Sequence, residues 1–362
     1  MERNKYIVCV RCLTYNHSAF IEDAMNGFCM QQTNFPFVCV IVDDASSDGE
    51  QDIIHQYLYD NFEMDGSDTI QNKETNDYRL VIAKHKLNRN CCFVVFFLKY
   101  NHYSIKKPKR PYYEYWLNNI KYIAICEGDD YWIDSNKLQK QVDYLENHQN
   151  TTMICTRTKL YSNKLKKFVG ENYCYNQSQI VEPKDIIRRT GGFISTCSIL
   201  FCRGIDDNKP DYWLQCKVGD YPLQIMCAMR GRVFYFNDIM SVYRIDNPDS
   251  WMGRQIWGSF NRNTLEVTES LIKMFKGFMK DYPEYESVFK SKICDQILRN
   301  IPVCSCPKAD LDRYLKYFSN EINKFSLKWR IGLKIRKLRS PILRVYFIRF
   351  FMGHYQARNI MY

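Results

Sequence analysis

The sequence predicts an α/β fold in which a mostly parallel, Rossmann-like sheet is flanked by helices. Residues 6–14 are rich in β-forming side chains and lead into a helical pattern over 20–28. A second apolar run, 37–42, is followed by another helical pattern. A β-α-β-α beginning of this kind is typical of parallel strands joined by right-handed crossovers. The short apolar run 122–126 is typical of a strand buried on both faces of such a sheet.

Other parts of the chain have less regular patterns. Residues 79–83 are predicted as a third strand, and 84–121 as an insertion of undefined structure. A helix is expected over 137–147, and a helical extension over 261–320. Between them, the patterns favour strands at 153–161, 192–202, 231–236 and 240–244, a short helix that starts within 181–187 and another at 223–229.

Composition narrows the class of protein. The chain has 362 residues, 46% hydrophobic and 25% charged, as expected of a soluble globular protein. Its sixteen cysteines are mostly scattered singly through apolar runs, and no cleavable signal segment is recognised at the N-terminus. This usage favours a reducing cytoplasm, with cysteines as small buried hydrophobes. Cys9 and Cys12 have the spacing of half a zinc site, but no second such pair completes four ligands. No apolar stretch reaches the roughly 18 residues that span a bilayer.

The positive charge lies at one end of the chain. The formal net charge is +11, and ten Lys and Arg residues follow Glu321 with no further acid. Residues 324–358 alternate these cations with apolar side chains, a pattern typical of helices that lie in a membrane interface. The alternative is a terminal helix packed on the body with solvated cations. A nucleic-acid partner is not expected, because no recognisable nucleic-acid module accompanies the charge.

Acidic residues follow the apolar run 122–126. Glu127, Asp129 and Asp130 surround Gly128 at what would be the carboxyl edge of the sheet, where open α/β sheets bind ligands. Adjacent carboxylates repel one another unless a divalent cation or ligand hydroxyls share the charge. The cluster therefore predicts a metal site, with an acidic turn as the alternative.

Two further polar stretches stand at the ends of the first two strands. They are Thr14-Tyr15-Asn16 and the run from Asp43-Asp44 to Asp48-Gly49. Together with the sequence Glu-Gly-Asp-Asp-Tyr-Trp at 127–132, they resemble the nucleotide-sugar half of family 2 glycosyltransferases of the GT-A fold. The resemblance covers roughly residues 5–255. It is specific in the order and spacing of its motifs: DDxSxDG, and the EGDDYW variant of the DXD motif known from bacterial surface-polysaccharide enzymes.

The resemblance implies a donor site that holds a nucleotide diphosphate-sugar with Mg²⁺ or Mn²⁺. Asp129 and Asp130 would share the metal and the ribose hydroxyls, with their division of labour open. Asp44 would accept the hydrogen bond of the base's ring N–H. The same pocket would be lined by four residues, Thr14, Tyr15, Asn16 and Asp43. Capping of the following helix is the alternative for Asp43 and Asp44.

The acceptor half is implied with fewer motifs. Asp220, at the start of a helix, matches the family's general base, which removes the proton of the acceptor hydroxyl. Arg244 would stand near the diphosphate, with a surface arginine as the alternative. Trp132 and Trp251 are candidates for stacking on sugar rings, and buried core positions are the alternative. One departure concerns 85–90, where the family's Asn-x-Gly stretch is expected and the glycine is missing.

The function expected from these patterns is inverting glycosyl transfer, from a sugar nucleotide with UDP favoured, to a glycan or lipid-linked acceptor. The protein would be cytoplasmic and peripheral at the inner face of the plasma membrane. Its domains would be a GT-A domain (1–260, with a donor half to about 135), a helical extension (261–323) and the basic tail (324–362). A nucleotidyltransferase and a non-catalytic carbohydrate-binding protein are the alternatives.

Overall fold

The computed structural model describes residues 6–65, 70–118, 120–246, 262–299, 301 and 308–337. The chain divides into two compact units, Met1–Asp207 with Leu223–Asn247, and Asn208–Pro222 with Pro248–Tyr362. All the strands lie in the first unit, and the described elements of the second are helical. No described helix is both long and apolar enough to cross a bilayer.

The first unit is built on one twelve-stranded sheet. Its strands follow the order β10-β12-β8-β11-β6-β1-β2-β5-β4-β3, while β7 pairs with β12 and β9 with β8. Their bounds are β1 Val8–Thr14, β2 Phe37–Asp43, β3 Ile70–Glu74, β4 Tyr78–Lys84, β5 Cys91–Leu98, β6 Tyr122–Ile125, β7 Tyr131–Trp132, β8 Thr151–Ser162, β9 Lys167–Asn172, β10 Gln179–Val181, β11 Leu200–Cys202 and β12 Arg232–Ile245.

The centre of the sheet is parallel, as the sequence predicts. β1 pairs in parallel with β2 and with β6, and β2 pairs in parallel with β5. Every residue of β2, β5 and β6 is buried, which explains their uninterrupted apolar sequences. Parallel alignment brings the carboxyl ends of these strands to one edge, where the predicted site residues follow.

Helices connect the strands and form the second unit. Those of the first unit are α1 Ile21–Cys29, α2 Glu50–Asn61, α3 Arg110–Leu117, α4 Lys137–Asn147 and α5 Pro183–Arg189. α7, Asp220–Arg230, begins at the end of one segment of the second unit and continues in the first. The second unit also contains α6 Asp211–Leu214, α8 Arg262–Asp281, α9 Glu286–Arg299, α10 Lys308–Tyr317, α11 Ser319–Ile322 and α12 Leu327–Lys337.

The third strand of the parallel centre is not the predicted one. The run 79–83 does form a strand, β4, but β4 is antiparallel to β5. The parallel neighbour of β2 is β5, which lies inside the segment interpreted as an insertion. β5 consists of eight consecutive buried residues, Cys91–Leu98. Because a long basic loop follows it, the sequence did not show that β5 belongs to the parallel strands.

Two further expectations change in detail. The predicted pair of strands at 231–236 and 240–244 is the single strand β12, whose pairing with β8 shifts register at Phe236 and Ile239. The predicted strand 192–202 contains only β11, preceded by two short 3₁₀ turns. A bulge and a turn both break the alternation of side chains, so the apolar pattern misplaced these boundaries.

Candidate functional site

The loops after β1, β2 and β6 are joined by main-chain hydrogen bonds. Asp44 donates its N–H to the carbonyl of Thr14 at 3.0 Å, and Gly128 donates to the carbonyl of Leu13 at 3.2 Å. A Cβ atom on Gly128 would stand 2.1 Å from Thr14 Oγ1, so only glycine fits this close approach. The three polar motifs thus meet at one edge of the sheet.

Glu50, in the first turn of α2, forms hydrogen bonds with the loops after β1 and β2. Its carboxylate accepts the hydroxyl of Thr14, the N–H of His17 at 2.8 Å and the hydroxyl of Ser46 at 2.8 Å. Glu50 is fully buried, and this burial raises the pKa of its carboxyl above the ordinary value. No sequence pattern predicts this role, because a glutamate at a helix start is ordinarily explained as a favourable partner of the helix dipole.

Asn16 and Asp43 shape the two turns. Asn16 adopts a left-handed backbone, with φ of 56°, and its side-chain oxygen accepts the N–H of Ser47 at 2.8 Å. Asp43 is fully buried, and its Oδ1 accepts the N–H of Ser46 at 3.1 Å. Burial raises the pKa of Asp43, whose Oδ2 has no hydrogen-bond partner among the described residues. Tyr15, between these turns, is exposed. Asp43 thus holds the turn before α2, but it is not the helix cap of the alternative, because α2 begins after Gly49 without a side-chain hydrogen bond at its N-cap.

Asp44 is held by the loop after β5. Its carboxylate accepts the N–H groups of His102 at 2.8 Å and Tyr103 at 3.1 Å, and it lies 2.6 Å from Lys109 Nζ. Asn101 also donates to the main-chain carbonyl of Asp44 at 3.1 Å. Three of the roughly four acceptor positions of the carboxylate are therefore occupied within the protein.

The acidic cluster is divided between a buried and a partly exposed carboxylate. Asp130 is 2% exposed, and its Oδ1 accepts the N–H of Arg244 at 2.8 Å. Burial, and then the charge of Asp129, raises the pKa of Asp130 well above its ordinary value. Asp129 Oδ2 lies 3.8 Å from His17 Nε2. Glu127 is exposed.

Arg244 braces this cluster. Its Nη1 donates to the carbonyl of Asp129 at 2.7 Å, and its Nη2 pairs with Asp23 on α1. The guanidinium carbon lies 4.5 Å from the ring centre of Tyr131 and 4.9 Å from that of Phe20. Arg244 thus stands beside Asp129 and Asp130. Neither Asp23 nor His17 was singled out by the sequence patterns.

The acceptor-side residues are placed differently from one another. Trp132 is 1% exposed and donates its indole N–H to the carbonyl of Cys197 at 2.8 Å, with Lys137 Nζ over its ring. It occupies the core position that the sequence left open. Asp220 is the first residue of α7, and its carboxylate accepts the N–H of Tyr221 at 2.8 Å. Trp251 lies outside the described residues.

The described residues contain no group of three or more His, Cys, Asp and Glu side chains arranged to hold a metal ion. Asp129 and Asp130 are therefore a pair of candidate ligands and not a complete cage. Mg²⁺ is commonly bound by one or two carboxylates together with substrate phosphates and water, so a pair fits a metal that arrives with a diphosphate.

Comparisons with solved structures recognise the fold. The chain is similar to crystal structures of Staphylococcus aureus TarS 1–349, in complex with UDP (15% identity, TM-score 0.55, 97% of this chain and 90% of that one). It is also similar to that protein in complex with UDP-GlcNAc (14% identity, TM-score 0.57, 98% and 92%). A third similar structure is the mannosyltransferase PcManGT of Pyrobaculum calidifontis in complex with GDP-Man and Mn²⁺ (14% identity, TM-score 0.50, 99% and 86%).

At these identities the likeness shows the fold, which is the mixed α/β GT-A arrangement that the sequence predicts. No family model matches the chain. Among curated proteins, an uncharacterised protein of Mycobacterium tuberculosis is 24% identical over 271 residues, which cover 73% of this chain and 68% of that protein. A protein of Mycobacterium bovis matches with the same figures.

Proposed function

We propose that this protein is an inverting glycosyltransferase that moves a hexosyl group from a sugar nucleotide, with UDP favoured, to a hydroxyl of a glycan or lipid-linked acceptor. The observation that carries the proposal is the meeting of Asp44, Asp129, Asp130 and Arg244 at the carboxyl edge of the parallel strands, where α/β sheets bind nucleotides. The ligands bound in the similar structures, UDP, UDP-GlcNAc and GDP-Man, support a sugar-nucleotide donor.

The acidic pair fits a divalent metal. Asp130 is buried beside the charge of Asp129, and its raised pKa reflects a carboxylate without enough positive charge around it. Asp129 and Asp130 would hold Mg²⁺ or Mn²⁺, and Mn²⁺ accompanies the donor in one similar structure. When bound, the metal offsets the charge that develops on the leaving diphosphate. Arg244 would fix the two acids through its main-chain N–H and its guanidinium.

Asp44 and the loops after β1 and β2 would bind the nucleotide. The role of Asp44 is to accept the ring N–H of the base, either at its remaining acceptor position or in place of the Lys109 ammonium. Tyr15 presents an exposed ring next to Asn16 and would cover the base, while Thr14 and Asn16 fix the pocket. Asp43 supports the turn that carries Asp44.

Asp220 is the proposed general base. A carboxylate can take the proton of an attacking hydroxyl, and the first residue of α7 presents one at the end of a helix. The same position explains capping equally well, so activity must decide between the two roles. The basic residues of 324–358 are proposed as a peripheral membrane contact on the cytoplasmic side.

The test is nucleotide release from UDP-, GDP- and dTDP-sugars in the presence and absence of Mn²⁺. We expect metal-dependent release from one donor class and its loss in Asp130→Asn. Asp220→Asn should lower kcat by at least about a hundredfold, the usual effect of losing a general base, while UDP affinity stays unchanged. A fully active Asp220→Asn protein would exclude Asp220 as the base, and release from no donor would refute the enzyme.

A further inference from the structure

A basic hairpin stands at the end of β8. Strands β8 and β9 are antiparallel, with Tyr161 paired to Phe168 and Ser162 to Lys167. From Arg157 to Gly170, both included, the sequence contains five cations and no acid. Three of the cations lie in the segment 163–168, here called the hairpin tip: Lys164, Lys166 and Lys167.

The hairpin tip also exposes apolar side chains. Leu165 is 49% exposed and Phe168 is 52% exposed, and every residue from Lys164 to Phe168 is exposed. The ring of Phe168 packs against Tyr161 at 5.4 Å between centroids and lies 5.3 Å from Lys159 Nζ. These apolar side chains, with lysines around them, form an amphipathic surface at the end of the strand pair.

The acids near the hairpin are already engaged. Glu171 pairs with Arg157 on the neighbouring strand, and Asp246 accepts the hydroxyl of Ser162 at 2.6 Å. Among the described residues, the three lysines of the hairpin tip form no ion pair with an acid. Their charges therefore face outward together.

The hairpin tip is close to the candidate site along the sheet. Tyr161 of β8 pairs with Arg244 of β12, and the N–H of Arg244 donates a hydrogen bond to Asp130. Leu165 follows Tyr161 by four residues, so the chain places it within about 14 Å of Tyr161. A surface bound by the hairpin tip would lie beside the acidic site.

We propose that the hairpin tip docks on an anionic lipid surface, with Leu165 and Phe168 entering the interface and the lysines pairing with lipid phosphates. This goes beyond the proposed function and does not depend on catalysis, because it concerns a contact made by the first unit alone. An interfacial site with both apolar and cationic side chains is what binding to an anionic bilayer requires.

The alternative partner is a soluble polyanion. Lysines alone would serve such a partner, since pairing with phosphates in water needs no apolar insertion. The exposure of Leu165 and Phe168 in the middle of the charges favours the lipid, because water penalises exposed apolar surface and the interface removes that penalty.

The test measures partition of the full chain onto vesicles of phosphatidylcholine, with and without phosphatidylglycerol, by co-sedimentation. The triple variant K164Q/K166Q/K167Q should lower partition onto the anionic vesicles by about a hundredfold. A matched triple variant, K86Q/K184Q/K290Q, removes the same charge from exposed lysines elsewhere and should change partition far less. About fivefold is the loss of partition expected for one lysine. If the hairpin variant loses less than this, the proposal is overturned.

The double variant L165S/F168S separates lipid from polyanion. It keeps all the lysines, so binding of soluble polyphosphate should be unchanged while vesicle partition falls at least about tenfold, as loss of apolar burial requires. Equal vesicle partition of this variant and the wild type, with tight polyphosphate binding by the hairpin lysines, would assign the surface to a polyanion instead. Unfolding curves of each variant show whether the hairpin is intact.

Discussion

Lys109 Nζ lies 2.6 Å from Asp44 Oδ2, and this ion pair joins the loop after β5 to the end of β2. Both side chains are largely buried, with exposures of 18% for Lys109 and 4% for Asp44. The loop that stands beside the proposed base pocket is therefore the one after Leu98. The family resemblance implies a nucleotide contact at 85–90, but these residues precede β5, and Asn90 accepts the N–H of Phe37 at the edge of the sheet where β2 begins.

A double-mutant cycle of Asp44→Asn and Lys109→Met measures this pair. Each single change should destabilise the protein, because the remaining charge is left in a poorly solvated position. The coupling free energy should be about 1–3 kcal/mol, obtained from urea unfolding of the four proteins.

Lys107→Met provides the control for that cycle. Lys107 pairs with Asp77 at the surface of the same loop, so its removal should couple only weakly to Asp44→Asn. If the Asp44 and Lys109 changes prove additive, the pair does not stabilise the loop, and the close contact has no energetic weight.

Gly128→Ala tests the close approach of the acidic loop to β1. The added Cβ would meet Thr14 Oγ1 at 2.1 Å and Thr14 Cβ at 2.7 Å. We expect a loss of about 1–3 kcal/mol in unfolding free energy, the usual effect of overpacking. Under the proposed function, donor affinity also falls, since Asp129 is the next residue. Gly170→Ala is the control, because no atom lies within 4 Å of a Cβ at that position. Equal effects of the two changes would show that the contact is relaxed without cost.

The sequence was sufficient for three strands of the parallel centre, β1, β2 and β6, and for the motifs that follow them, but not for β5. Uninterrupted apolar runs such as residues 37–42 have few alternatives to a buried strand, and polar residues directly after them must emerge at the same edge. The helix Lys137–Asn147 was predicted with its observed bounds, because its apolar residues recur at helical spacing after a capping sequence.

The partners of the site residues were beyond the sequence. Glu50, Lys109 and Asp23 reach the site from a helix start, a loop and a helix face, and each belongs to a charge pattern that is ordinary at the surface. Folding brings them into contact with residues that are far away in the sequence, by 33 positions for Glu50 and His17 and by 221 for Asp23 and Arg244. Long-range contacts between charged or polar side chains leave no periodic pattern in the sequence. The sequence therefore predicted the motifs but not the residues that hydrogen-bond to them.

Glu50→Gln tests the buried carboxyl under the site. Burial raises the pKa of Glu50 above 4.5, so its ionisation favours the unfolded chain. The stabilising contribution of the carboxyl is complete below pH 4.5 and declines as the pH rises through the folded-state value. The unfolding free energy of the wild type should therefore fall relative to that of Glu50→Gln as the pH rises from about 4.5 towards neutrality.

Glu146→Gln is the control of opposite sign. Its hydrogen bond from Lys121 lowers the pKa of Glu146, so the wild type should gain stability relative to this variant as the pH rises towards 4.5 and keep a constant advantage above it. Urea unfolding of the three proteins from below pH 4.5 to neutrality decides the outcome. A constant difference between the wild type and Glu50→Gln would mean that Glu50 titrates alike in the folded and unfolded chains.

The buried thiols make the protein sensitive to alkali, and Cys9 in β1 tests this. Burial raises the pKa of Cys9 from 9.0 to about 12, so the thiol stabilises the fold below pH 9 and loses this contribution as the pH rises towards 12. Cys9→Ala should be less stable than the wild type at neutral pH, because it leaves a small cavity. This deficit should shrink by about 1.4 kcal/mol between pH 8 and pH 10, since only the wild type must bury a titrating thiol.

Val38→Ala, a cavity in the adjacent strand without a titrating group, should keep a constant deficit over the same range. Parallel curves for Cys9→Ala and Val38→Ala would contradict the prediction.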